Sequence, residues 1–93
     1  MSRTLQSTKR FARALQRYLK TRPSAAASIR AVLDMLAADA FQPSLQTHKL
    51  KGEFAGSWAA SAGYDLRIIF HFDRQNGVEL IVLETIGSHD VVY

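Results

Sequence analysis

The stretch Tyr64-Asp65-Leu66-Arg67-Ile68-Ile69-Phe70-His71-Phe72-Asp73 alternates with period two, and Arg74-Gln75-Asn76-Gly77 follows it. Side chains on a strand point alternately to its two faces. Tyr64, Leu66, Ile68, Phe70 and Phe72 therefore share one face, and Asp65, Arg67, Ile69, His71 and Asp73 share the other. Asn-Gly favours a two-residue hairpin, because both central positions of that turn need positive φ. Val78 to Ile86 is then the returning antiparallel strand. It is apolar on both faces at Leu80-Ile81-Val82-Leu83, as a central strand is.

Working outward, Trp58 falls on a preceding strand, and Phe41 to Thr47 reads as a loop around Pro43. Upstream the period changes. Phe11, Ala14, Leu15, Tyr18 and Leu19 recur at helical spacing, with Lys9, Arg10, Arg13, Arg17 and Lys20 on the other side. Ser7 is the predicted N-cap of this helix. Pro23 ends it, because a proline disfavours helical geometry in the residue before it. A second helix starts near Pro23 or Ser24 and buries Ile29, Val32, Leu33, Leu36 and Ala37. With almost no linker between them, the two helices form an antiparallel hairpin. Residues 2–6 are a short first strand, and Val91 to Tyr93 form a last short strand or a tail. The expected fold is α+β: a helical hairpin on one face of a small, mostly antiparallel twisted sheet. The other face stays partly open, and a binding cleft is expected there.

The chain has 93 residues, enough for one domain spanning 1–93 with one core. Without cysteine, it has no disulfides, thiolate catalysis or Cys-based zinc site, which fits a reducing cytoplasm. No signal-peptide core and no run of membrane-spanning length is present. The net charge is +4, and its distribution is uneven. All eight basic residues up to Arg30 precede the first acidic one, Asp34. Such a one-signed segment attracts polyanions and acidic proteins alike, and it is equally what a solvated helix face looks like.

Several side chains could carry chemistry. Arg67 shares the open face with Asp65 and His71; it can clamp a phosphate with two parallel hydrogen bonds, or be ion-paired with Asp65. His48, just before the sheet, carries an imidazole, the side chain best suited to exchanging a proton near neutrality. Lys49 and Lys51 flank it, favour its neutral form, and are themselves phosphate contacts. His89 emerges after a buried strand, and Val91-Val92-Tyr93 is too apolar to be left in water without reason. The three histidines do not suggest a metal centre, because the neighbouring lysines and arginine oppose a divalent cation. There is no glycine-rich phosphate loop and no serine nucleophile elbow, so no cofactor is expected.

His48-Lys49-Leu50-Lys51-Gly52, then Trp58, then Tyr64 to Asp73, and finally Gly87-Ser88-His89-Asp90-Val91-Val92-Tyr93 resemble RelE-like toxins of bacterial toxin–antitoxin pairs. YafQ-like and YoeB-like members are nearest in pattern. The resemblance implies the RelE-like RNase fold. It also implies a catalytic set of His48 as general base, Arg67 as phosphate clamp, His89 as general acid, and Asp65. Lys49, Lys51, His71 and Tyr93 are expected to bind substrate, Tyr93 by stacking on a base. One departure stands out. YafQ-like toxins carry a further histidine shortly before the position of Asp65, and Ala59-Ala60-Ser61-Ala62-Gly63-Tyr64 has none. Either fewer groups suffice, or His71 or Tyr64 substitutes, or activity is weak.

The function implied is that of a metal-independent endoribonuclease cutting mRNA on the ribosome. The resemblance also implies a cognate antitoxin, with operator DNA bound only through that antitoxin. Two other readings follow from the same fold: a ParE-like inhibitor of DNA gyrase, and an inactive antitoxin-binding homologue.

Overall fold

The hairpin at Asn76-Gly77 organises the sheet. Asn76 and Gly77 have φ of 51° and 78°, the left-handed pair that this turn demands. A computed structural model describes residues 2–89, and the elements are as follows. Strand β1 is Thr4–Ser7, α1 is Lys9–Thr21, α2 is Ala26–Ala38, β2 is His48–Lys49, β3 is Trp58–Ser61, β4 is Leu66–Gln75 and β5 is Val78–Ser88. The five strands form one sheet in the order β1-β5-β4-β3-β2. Strand β1 runs parallel to β5, and the other pairings are antiparallel. Single 3-10 turns lie at Pro23–Ala25, Pro43–Leu45 and Gly52–Phe54.

The sheet buries the predicted face of β4. Leu66, Ile68 and Phe70 join Ile81, Leu83 and Ile86 of β5 and Phe11, Ile29 and Leu36 of the helices in one core. At its edge, Trp58, Phe70 and Phe72 meet edge-on, with ring centroids 5.3 Å apart for Trp58–Phe72 and 5.4 Å for Phe70–Phe72. Phe41 stacks on Phe72 at 5.7 Å. A smaller cluster of Ala59, Ile69 and Leu50 lies on the opposite side. Helix α1 sends Lys9, Arg10, Arg13, Arg17 and Lys20 to solvent, as its periodicity requires. Among the described residues, no helix is long and apolar enough to cross a membrane.

Four details differ from the expectations. The N-cap of α1 is Thr8, not Ser7: its Oγ1 accepts the Phe11 N–H at 3.1 Å and donates to the Leu83 carbonyl at 2.7 Å. Tyr64 and Asp65 lie in the turn before β4, which starts only at Leu66. His48 is not in a loop but in the edge strand β2, paired with Ala59. A two-residue strand is too short to show a period, so it escapes pattern reading. The second helix is α only from Ala26, after the 3-10 turn that Pro23 opens. The segment Val91–Tyr93 lies outside the described residues.

Thr8→Ala removes both the cap and a tie between α1 and the central strand. It is expected to cost about 1–2 kcal/mol, which is read as a Tm loss of roughly 4–8 °C per kcal/mol in thermal melts.

Candidate functional site

The face of the sheet turned away from the helices is built in rows that the register defines. His48, Ala59, Ile69 and Thr85 lie across from one another, strand by strand. The next row is Ser61, Arg67 and Gly87. Beyond it, just past the end of β5, the His89 N–H donates to the Asp65 carbonyl at 2.9 Å. Leu50 donates its N–H to the Ser57 carbonyl at 3.0 Å on the other side of the His48 row, where His71 faces Val82.

The register therefore places His48 and Arg67 in successive rows of one face, and His89 follows just past the last paired row. With strands about 4.8 Å apart and a two-residue step of about 6.7 Å, the Cα of Arg67 lies about 12 Å from that of His48 and about 8 Å from that of His89. The Cα atoms of His48 and His89 lie toward opposite ends of the sheet, about 20 Å apart if the sheet were flat. Long side chains, sheet twist and a bound strand must close that span for both to serve one linkage.

Each predicted side chain has a definite setting. His48 is exposed, and its Nδ1 lies 2.9 Å from the Gln46 carbonyl. A carbonyl only accepts, so Nδ1 carries the proton of the neutral ring and Nε2 holds the lone pair. Arg67 is half-buried, and its Nη1 donates to the carbonyls of Leu66 at 3.0 Å and Gly63 at 3.3 Å. It makes no ion pair with Asp65 among the described residues. Lys49 is on the other face: its ammonium sits over the Trp58 ring at 5.5 Å, so the structure does not bring it together with His48. Lys51 is exposed, at the start of the Gly52–Phe54 turn. Asp65 is exposed and helps line a cavity of about 440 Å³ with Tyr18, Arg22, Ser28, Tyr64 and Ser88. His89 is exposed as well. Tyr93 lies outside the described residues.

Two residues that the sequence reading passed over join the site. Ile69 faces Thr85 and Phe70 faces Leu83, so Glu84 is the extra residue of a β-bulge in β5. The bulge resets the alternation, which lets Leu83 and Ile86 both enter the helix-side core. It also frees the Glu84 carboxylate to meet His71: Glu84 Oε2 lies 3.0 Å from His71 Nδ1 and accepts from Ser57 Oγ at 2.7 Å. The signal available in the sequence was a glutamate directly after the apolar run Leu80 to Leu83. Among the described residues, no group of three acidic or histidine side chains is placed to hold a metal ion.

The fold and the matching residues together identify the family. Residues 3–93 match the model of the YafQ family, described as a bacterial toxin of the type II toxin–antitoxin system. Among solved structures, the chain is similar to YafQ from E. coli strain BL21(DE3), with a TM-score of 0.79, 14% identity and 98% of each chain covered. It is also similar to a YoeB/ParE toxin from Agrobacterium tumefaciens, with a TM-score of 0.74, 15% identity, and 92% of this chain and 98% of that one covered. The E. coli DinJ–YafQ toxin–antitoxin complex matches with a TM-score of 0.71 at 13% identity, over 100% of this chain and 99% of that one. No curated protein sequence matches. The chain thus belongs to the YafQ family of type II toxins.

Proposed function

We propose that this toxin is an mRNA endonuclease that uses the RNA's own 2′-hydroxyl as nucleophile. The observation that supports this reading best is the register, which sets His48 and Arg67 on one face of the sheet, with His89 held by its backbone to Asp65 just past the end of β5. In the proposed reaction, His48 Nε2 takes the proton of the 2′-hydroxyl as its oxygen attacks the adjacent phosphorus. Arg67, with Lys51, stabilises the charge that builds on the phosphoryl oxygens. His89 protonates the 5′-oxygen as the P–O5′ bond breaks. The products are a 2′,3′-cyclic phosphate and a 5′-hydroxyl. Asp65 borders the acid end of the site, His71 contacts the RNA from β4, and Tyr93 stacks on a base. No step calls for a metal ion.

Family membership supports a choice of substrate and partner. The substrate is mRNA held on the ribosome. The partner is an antitoxin, as in the DinJ–YafQ complex. The exposed cationic face of α1 suits an acidic segment that folds on binding. Operator DNA is contacted through that antitoxin rather than by this chain.

The deciding experiment incubates the purified chain with programmed ribosomes and maps the RNA ends, with and without chelator. Cuts that end in cyclic phosphate and survive the chelator are expected. Intact RNA together with gyrase-dependent DNA breaks in a parallel assay would replace the nuclease with a gyrase inhibitor.

A further inference from the structure

The Ser57–Glu84–His71 cluster lies outside the general acid and base assigned above. We infer that His71, positioned by Glu84, takes the 2′-hydroxyl proton in place of His48; this rests on the nuclease reading just given and changes only its base.

The bulge in β5 is what brings the cluster together. A regular ladder would put Leu83 and Ile86 on opposite faces, yet both belong to the helix-side core. The extra residue that makes this possible is a glutamate, and its carboxylate turns to the face that carries Arg67 and His48. Glu84 is only 24% exposed in its side chain, and it is the shared acceptor of two hydrogen bonds. Ser57 Oγ donates to Oε2 and holds the carboxylate in place. His71 Nδ1 meets the same oxygen at 3.0 Å. A carboxylate accepts, so the proton of the neutral ring sits on Nδ1.

That arrangement has one chemical consequence. The lone pair must be on Nε2, at the far end of the ring. The His71 side chain is 39% exposed, and its Nε2 makes no hydrogen bond among the described residues. A neutral imidazole with a carboxylate behind it and a lone pair in front is the arrangement of a general base. The carboxylate also stabilises the imidazolium that forms once the proton has been taken. His71 lies on the same strand as Arg67, four residues along and on the same face by alternation. Their Cα atoms are therefore about 13 Å apart, close to the separation of Arg67 from His48. In the proposed step, the single 2′-hydroxyl proton passes to His71 Nε2 in place of His48 Nε2 while the oxygen bonds to phosphorus, and His48 is left to contact the RNA. It leaves the ring later to water, so no other reactant is needed.

The alternative is that the cluster only braces the bulge. The substitution Glu84→Gln separates the two. An amide can turn its NH2 toward Nδ1, which moves the ring proton to Nε2 and abolishes the base, at little change in volume. Single-turnover cleavage on ribosomes is expected to fall at least tenfold in both His71→Ala and Glu84→Gln. KM for the programmed ribosome and Tm should stay near those of the wild type in Glu84→Gln. Nitrogen-15 spectra of the ring should show the Nδ1–H tautomer in the wild type and its loss in Glu84→Gln. Wild-type cleavage rates in His71→Ala, or a fall in Tm without a fall in rate in Glu84→Gln, would overturn the role of His71 and leave the nuclease intact. If the wild-type protein itself cuts no RNA, the nuclease reading fails, and the role of His71 fails with it.

Discussion

Replacing His89 by alanine is expected to slow RNA cleavage roughly 10²–10⁴-fold while leaving the folded protein as stable as before. The rate change corresponds to about 2.7–5.4 kcal/mol of lost transition-state stabilisation. An alkoxide is a poor leaving group, so the P–O5′ bond breaks slowly unless a proton arrives with it. Stability should hold because the side chain is exposed. One bond that anchors the residue runs from its backbone N–H to the Asp65 carbonyl, and alanine keeps it. Single-turnover rates and thermal melts on the same preparation provide both readouts. Arg67→Ala is a less clean experiment. The guanidinium also holds the β3–β4 turn through the Gly63 and Leu66 carbonyls, so its loss mixes catalysis with local structure. A His89→Ala protein that cuts as fast as wild type would remove the general acid and, with it, the proposed proton path.

The parts legible in the sequence are those where one physical rule acts alone. Asn76-Gly77 announces the hairpin because few dipeptides tolerate two positive φ values. The alternation of β4 and the stripe on α1 follow from burial on one side. The unread parts arise where two rules compete or a segment is too short. Thr8 caps α1 in place of Ser7 because its hydroxyl also reaches the Leu83 carbonyl, a tertiary contact that spacing does not reveal. Strand β2 contains only His48 and Lys49, which is why the histidine looked like a loop residue. Its pairing with Ala59 puts His48 and Lys49 on opposite faces, and Lys49 goes to Trp58. The bulge is the largest omission. Period-two counting along β5 misassigns every residue beyond Glu84, so the carboxylate behind His71 is visible only in the paired register. The spacing of Arg67 also allows an ion pair with Asp65; the guanidinium instead donates to two backbone carbonyls, an outcome set by the turn geometry.

The site depends on which side of β4 faces the helices, and Phe70→Ala tests that directly. Phe70 is fully buried, at 0% exposure, with Phe72 edge-on at 5.4 Å. Truncating a buried phenylalanine costs about 3–5 kcal/mol, from lost burial and the cavity left behind. A domain of this size has roughly 5–14 kcal/mol in all, so the variant should be close to the unfolding threshold. Its Tm should fall by about 12 °C or more. Phe72→Ala should cost less, because Phe72 is only partly buried, and Phe41→Ala least, because Phe41 is 51% exposed. The order carries the functional conclusion as well as the structural one. A one-residue slip in β4 would exchange its two faces, expose Phe70, and turn Arg67 and His71 into the core. A Phe70→Ala protein that melts no lower than Phe41→Ala would therefore remove both residues from the RNA-facing surface, whatever the fold of the remainder.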